Sequence, residues 1–170
     1  MDTLIPYSTK NNQAVFAAGC FWGVQYYFDQ VPGVKNTIVG YSGGHVKNPT
    51  TEQIYDHTTG HAEAVLIDYD QVKVSYETLV RHFFRIHDPT QFNRQGPNVG
   101  DNYRSAIFYL NDEQKAVAEA IKQEVQANYK QPIVTQIMAA QPFYRADEFH
   151  QKFTEKTGGW GMCHVGYQPI

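Results

Sequence analysis

The longest apolar stretch of the chain is an 11-residue run from Ala14 to Val24, interrupted by nothing but Gly19 and Gly23. A helix needs roughly 20 apolar residues to cross a bilayer, so this run belongs inside a folded domain. Its first half, Gln13 to Ala18, reads as a strand buried on both faces. Beyond Gly19 the period changes: Val24, Tyr27, Phe28 and Val31 fall at helical spacing until Pro32-Gly33 stops the helix. The run therefore predicts strand, sharp junction, helix, with Cys20 on the junction.

Further elements alternate in the same way. Thr37–Tyr41 and His61–Tyr69 read as strands, with a polar loop and a helical turn near Glu52–Tyr55 between them. Ser75 caps a helix carrying the stripe Tyr76, Leu79, Val80, Phe83 and Phe84. His87–Asn102 is rich in Pro, Gly, Asn and Gln and reads as an extended loop, a common seat of function. Ser105–Leu110 is a strand, Asn111 with Gln114 caps a long helix, Ile133–Met138 is another strand, and Asp147–Lys156 a short helix. Gly158–Ile170 holds four glycines and is expected to be a mobile tail. The class is α/β (α+β): one domain over 1–170, a mixed sheet with flanking helices and extensive coil, preceded by an N-terminal extension over 1–12.

Composition narrows the function. The 170 residues carry 42% hydrophobic and 18% charged side chains, a globular balance, and the net charge of -3 leaves no basic footprint for nucleic acid. Met1–Lys10 lacks a basic head followed by an apolar stretch, so no secretory leader is expected. Two cysteines cannot make a disulfide framework, which points to the cytoplasm.

Cys20 is the first candidate for chemistry. Glycines at 19 and 23 allow close backbone approach, and the start of a helix favours an anion such as a thiolate. Against a plain buried cysteine, the junction favours a nucleophile. Phe21 and Trp22 point different ways at the turn, so at least one ring can line an apolar pocket beside the sulfur. Glu63 lies between alanines on a strand: either it faces solvent, the commoner case for a lone Glu, or it is desolvated and held protonated as an acid. His57 and His61 invite a metal, as do Cys163 and His164, but neither pair has further ligands fixed around it. Cys163, in the glycine-rich tail, can reach a distant thiol and form a transient disulfide.

These residues resemble a known family. Gly19-Cys20-Phe21-Trp22-Gly23 is similar to the signature of the A-type peptide methionine sulfoxide reductases. The resemblance continues through Gly40–Gly44, Asn48-Pro49-Thr50, Thr59–Glu63, His87–Gln91, Arg94-Gln95-Gly96 and Tyr103–Ile107. It implies a mixed plait-like fold and attack by Cys20 on the sulfur of a methionine S-sulfoxide, leaving a sulfenic acid. Glu63 is then the acid, Tyr103 a second donor, and Phe21, Trp22, Tyr41, Thr51 and Asn98 the substrate contacts. Cys163 resolves the sulfenic acid to a disulfide that thioredoxin, or another dithiol, reduces; no metal or organic cofactor is implied, and a monomer is expected. Two positions depart from the family pattern: Thr51 stands where Tyr is usual, and Asn98 where Asp is common. Losing the phenol at 51 is expected to weaken the hold on the oxygen by about 1 kcal/mol or more. The alternative within redox chemistry is a general thiol peroxidase or sensor built on the same Cys20.

Overall fold

The computed structural model describes residues 2–159. Its strands are β1 (Leu4–Ile5), β2 (Gln13–Ala18), β3 (Val34–Ser42), β4 (Ala62–Tyr69), β5 (Arg94–Gln95), β6 (Asn98–Val99), β7 (Ser105–Tyr109), β8 (Gln136–Ala139) and β9 (Phe143–Arg145). Its helices are α1 (Phe21–Asp29), α2 (Thr51–Tyr55), α3 (Tyr76–Arg85), α4 (Asp112–Val125) and α5 (Phe153–Lys156). Seven strands form one sheet in the order β1-β9-β3-β4-β2-β7-β8, and β5 and β6 pair separately as a hairpin. All neighbours are antiparallel except β7 and β8. A parallel pair needs a crossover, and α4 supplies it. The mixed α/β class is as the sequence reads.

Every residue of β2 is buried, because both faces of the sheet are covered around it. Side chains alternate across a strand. Ala14, Phe16 and Ala18 of β2 join Val65, Ile67 and Tyr69 of β4 and the apolar sides of α1, α3 and α4. Val15 and Ala17 join Ala62, Ala64, Leu66, Phe108 and Phe143 on the opposite face. Phe16 stacks on Phe28 at 5.3 Å and on Phe83 at 5.2 Å between ring centres. Leu79, Val80, Phe83 and Phe84 of α3 are wholly buried, each contributing about 1.5–3 kcal/mol of transfer free energy. Ser75 and Asn111 cap α3 and α4 through the Thr78 and Gln114 amides, as their sequences predict.

Three parts of the sequence reading need correction. Residues Leu4–Ile5 of the N-terminal extension pair with β9 at the sheet edge, and β9 itself is too short to carry a pattern. The loop after α3 contains the β5–β6 hairpin and a single 3-10 turn at Asp101–Tyr103. The helix expected over Asp147–Lys156 is broken: a 3-10 turn spans Glu148–His150, and α5 begins only after Lys152 at φ 57°. Lys152 is held there by its ion pair to Asp29 at 2.8 Å and by the hydrogen bond its backbone N–H donates to Gln25 Oε1 at 2.7 Å.

Buried histidines and tyrosines set the pH range of stability. His61 accepts the Gly44 N–H at Nδ1 and donates from Nε2 to the Val46 carbonyl; His82 donates to the Tyr27 carbonyl. Burial lowers the pKa of His61, His82 and His150 below the ordinary 6.5. Burial also raises Tyr41, Tyr76 and Tyr103 above 10.0 and pushes Tyr7 up to about 12. Below pH 6.5 the unfolded chain takes up protons that the native histidines refuse; above pH 10 it releases protons that the native tyrosines keep. Thermal denaturation is therefore expected to give a Tm that is level between about pH 6.5 and 10 and falls on both sides. A Tm that stays flat from pH 7.5 down to 5.5 contradicts the neutral, buried state of these rings.

Candidate active site

The site begins where β2 ends. Gly19 turns the chain at φ 97°, a left-handed conformation that glycine adopts without strain. Cys20 follows as the residue that starts α1, 6% exposed, and its side chain makes no capping hydrogen bond. The first amide of the helix finds its acceptor elsewhere: the Phe21 N–H donates to Glu63 Oε1 at 3.2 Å. Glu63 lies two residues before Val65 on β4, so it shares the helix-covered face with Val65 and Ile67. It is 4% exposed, which settles the alternative left open by the sequence in favour of a desolvated carboxyl. Its other oxygen accepts from the Asn102 amide at 3.4 Å.

Tyr41 pairs directly opposite Glu63 across β3 and β4, so their side chains share a face. The Tyr41 ring tilts against Phe21 at 5.6 Å. Tyr103 stands on the turn at Asp101–Tyr103; burial raises its pKa first, then the charges of Glu63 and Cys20, so its phenol lies within electrostatic reach of both. Gly100 fixes the start of that turn: a Cβ there would lie 2.3 Å from the His57 ring and 2.5 Å from Asn102 Oδ1. His57 in turn pairs with Asp101 at 3.5 Å.

The aromatic wall is also held from a distance. Trp22 stacks on Phe153 with centroids 3.9 Å apart and on His150 at 5.8 Å, and its indole N–H donates to His150 Nδ1 at 3.0 Å. Phe21 packs against the same histidine at 5.4 Å. Thr51, the first residue of α2, lies 3.3 Å from His150 Nε2 and 3.4 Å from the Tyr41 hydroxyl. Asn98 lies on β6, paired with Gln95 and three residues before the Asp101–Tyr103 turn. Asn98 Nδ2 and Asn102 Oδ1 are buried without a hydrogen-bond partner, one a donor and the other an acceptor.

Cys20, Phe21, Trp22, Tyr41, Thr51, Glu63 and Tyr103 are thus brought together from five chain segments. Cys163 and His164 lie outside the described residues. His57 and His61 do not share ligands: His61 holds the Gly44–Val46 loop, and among the described residues no group of three His, Cys, Asp or Glu could hold a metal ion. Sequence reasoning gave His150 and Asn102 no role. Asn102 directly precedes Tyr103, a proximity that marks it. His150 carries no such mark, because its partners are 128 and 99 residues away.

A family model described as peptide methionine sulfoxide reductase matches residues 12–170. The chain is 54% identical over 148 residues to the peptide methionine sulfoxide reductase MsrA of Methanosarcina acetivorans, covering 86% of this chain and 79% of that protein. With the MsrA of Geobacter sulfurreducens the identity is 47% over 158 residues, covering 92% and 97%. The solved structure of reduced Mxr1 from Saccharomyces cerevisiae superposes with a TM-score of 0.89 at 29% identity, over 98% of this chain and 97% of that one. The same yeast protein has been solved in complex with Trx2; there the identity is 23% and the TM-score 0.65, a likeness of fold. With the family model spanning all but the first 11 residues and relatives near half identical along most of their length, the chain belongs to the peptide methionine sulfoxide reductases.

Proposed function

We propose that the chain reduces methionine S-sulfoxide, free or within proteins, with Cys20 as nucleophile and Glu63 as the acid. The observation that carries this reading is the Phe21 N–H to Glu63 bond, which sets a buried carboxyl beside the first residue of the helix that Cys20 starts. The positive end of α1 favours the Cys20 thiolate. Its sulfur attacks the sulfoxide sulfur while the oxygen takes a proton from Glu63. The substrate S–O bond breaks as the hydroxyl passes to Cys20 Sγ, the transient bond between the two sulfurs breaks with its electron pair returning to the substrate sulfur, and methionine leaves from a Cys20 sulfenic acid. The substrate sulfur gains two electrons, Cys20 loses two, and the proton given up by the thiol replaces the one drawn from Glu63.

Tyr103, kept protonated by burial, supports the oxygen as a second donor, and Phe21 and Trp22 offer an apolar wall for the S-methyl group. Asn98 Nδ2 has an unmet donor hydrogen that a substrate oxygen or a water can accept. Cys163 attacks the sulfenic sulfur, releases water and forms a disulfide. A dithiol reductant of the thioredoxin class then returns both thiols, in line with the yeast relative solved with Trx2. The scheme draws its electrons from thiols alone and calls on no metal or organic cofactor. A thiol pair that must be re-reduced each cycle suits the reducing cytoplasm. The short edge strands β1 and β8 suit a monomer.

Reduced protein mixed with blocked methionine S-sulfoxide, without reductant, is expected to yield one methionine per chain and lose both thiols. Cys20→Ser is expected to yield none. Glu63→Gln keeps the acceptor for the Phe21 amide but has no proton to give, and is expected to slow this single turnover by about 100-fold or more. Cys163→Ser is expected to form methionine at the normal rate, retain the sulfenic acid on Cys20 and fail to turn over with thioredoxin. A normal rate in Glu63→Gln removes the acid from the scheme, and sustained thioredoxin turnover by Cys163→Ser removes the resolving step.

A further inference from the structure

Four side chains, beginning with Trp22 two residues after Cys20, form a line of hydrogen bonds whose sense can be worked out from one end. The Trp22 indole is a donor with no acceptor, so His150 Nδ1, 3.0 Å away, carries no hydrogen. Burial lowers the pKa of His150, so the ring is neutral at pH 7 and its single hydrogen sits on Nε2. That hydrogen points to Thr51 Oγ1 at 3.3 Å. The Thr51 and Tyr41 hydroxyls share the next contact, at 3.4 Å. Two hydroxyls share one bond, so one hydroxyl hydrogen remains to be placed. A bond accepted from His150 polarises the Thr51 O–H and makes it the better donor to Tyr41. The hydrogen left over is then that of Tyr41.

Tyr41 is well placed to use it. Its side chain shares the sheet face of Glu63, the residue directly opposite, and its ring lies on Phe21. We infer that the Tyr41 hydroxyl donates a hydrogen bond to the substrate oxygen, and that Thr51 and His150 are positioning residues that aim it. The inference rests on the sulfoxide reading above. It gives Thr51 a use that its short side chain does not suggest: too short to reach far into the site, it hands the hydrogen bond on to a phenol that can. Long contacts of 3.3 and 3.4 Å are usual for catalytic hydrogen bonds before substrate closes the site.

The test is the reductant-free single turnover of the full chain with blocked methionine S-sulfoxide, read as a saturating rate constant and a half-saturating concentration. Tyr41→Phe is expected to lower the rate constant about tenfold or more, with half-saturation changed by less than about twofold, as for a donor felt mainly in the transition state. Thr51→Val should lose a comparable factor, and Thr51→Ser, which keeps the hydroxyl, should recover most of it. His150→Phe keeps an aromatic ring against Trp22 but passes no hydrogen bond, and should behave like Thr51→Val. The double variant Tyr41→Phe/Thr51→Val should be no slower than Tyr41→Phe, because Thr51 acts through Tyr41. Full rate in Tyr41→Phe, or losses that multiply in the double variant, overturn the inference while leaving the reductase intact. A wild-type chain that forms no methionine overturns the underlying activity instead.

Discussion

One bond, from the Phe21 amide to Glu63 Oε1, ties the middle of the sheet to the start of α1, and the site is arranged around it. A helix leaves its first amides without partners, and the residue before it commonly supplies an acceptor. Cys20 does not, so the acceptor comes from β4. This exchange has two consequences at once. The sulfur is not engaged in capping the helix, and a carboxyl is fixed one residue from it. The register of β3 with β4 then determines what else arrives, since Tyr41 opposite Glu63 follows from the same ladder that pairs Val39 with Val65.

The second constraint is a wall built by residues from the other end of the described chain. Trp22 is stacked on Phe153 and hydrogen-bonded at its indole N–H to His150, while Thr154 donates to the Trp22 carbonyl at 3.1 Å. Gln151 holds the β3 backbone at Val39 from the same segment, through both its oxygen and its nitrogen. His150, in the 3-10 turn, and Phe153, the first residue of α5, reach Trp22 from the two sides of the left-handed Lys152, and His150 also reaches Thr51.

What the sequence made legible was local. The run from Gln13 to Asp29, the Ser75 and Asn111 caps and the α3 stripe all carry their signal within a few residues, and the structure follows them closely. Cys20 was legible for the same reason, as a glycine-flanked junction. Glu63 was half legible: its segment is apolar on both faces, so alternation alone does not show whether the carboxyl is covered. Its membership of the row Val65, Ile67 and Tyr69 was the usable clue. The short strands β1 and β9 were not legible, because two or three residues carry no period. Nor was His150, whose partners lie across roughly a hundred residues or more and exist only once the sheet has formed.

The geometry also bears on the choice between a sulfoxide and a peroxide as the oxidant of Cys20. Either substrate needs an activated sulfur and donors for an oxygen, so Glu63 and Tyr103 do not discriminate between them. The aromatic wall does. Hydrogen peroxide has no apolar group to place, yet here Trp22 is fixed by stacking on Phe153, by its indole N–H to His150 and by its carbonyl, and Phe21 is packed against Tyr41 and His150. Rings ordered this tightly give a methyl or methylene a surface of fixed shape, whose contribution grows with the apolar area it covers. On the proposed reading a sulfoxide would engage both halves of the site, its oxygen on the donors and its carbon on the rings, with the sulfur between them facing Cys20. A peroxide would engage one half alone, and on the proposed reading the specificity of the site would reside in the difference.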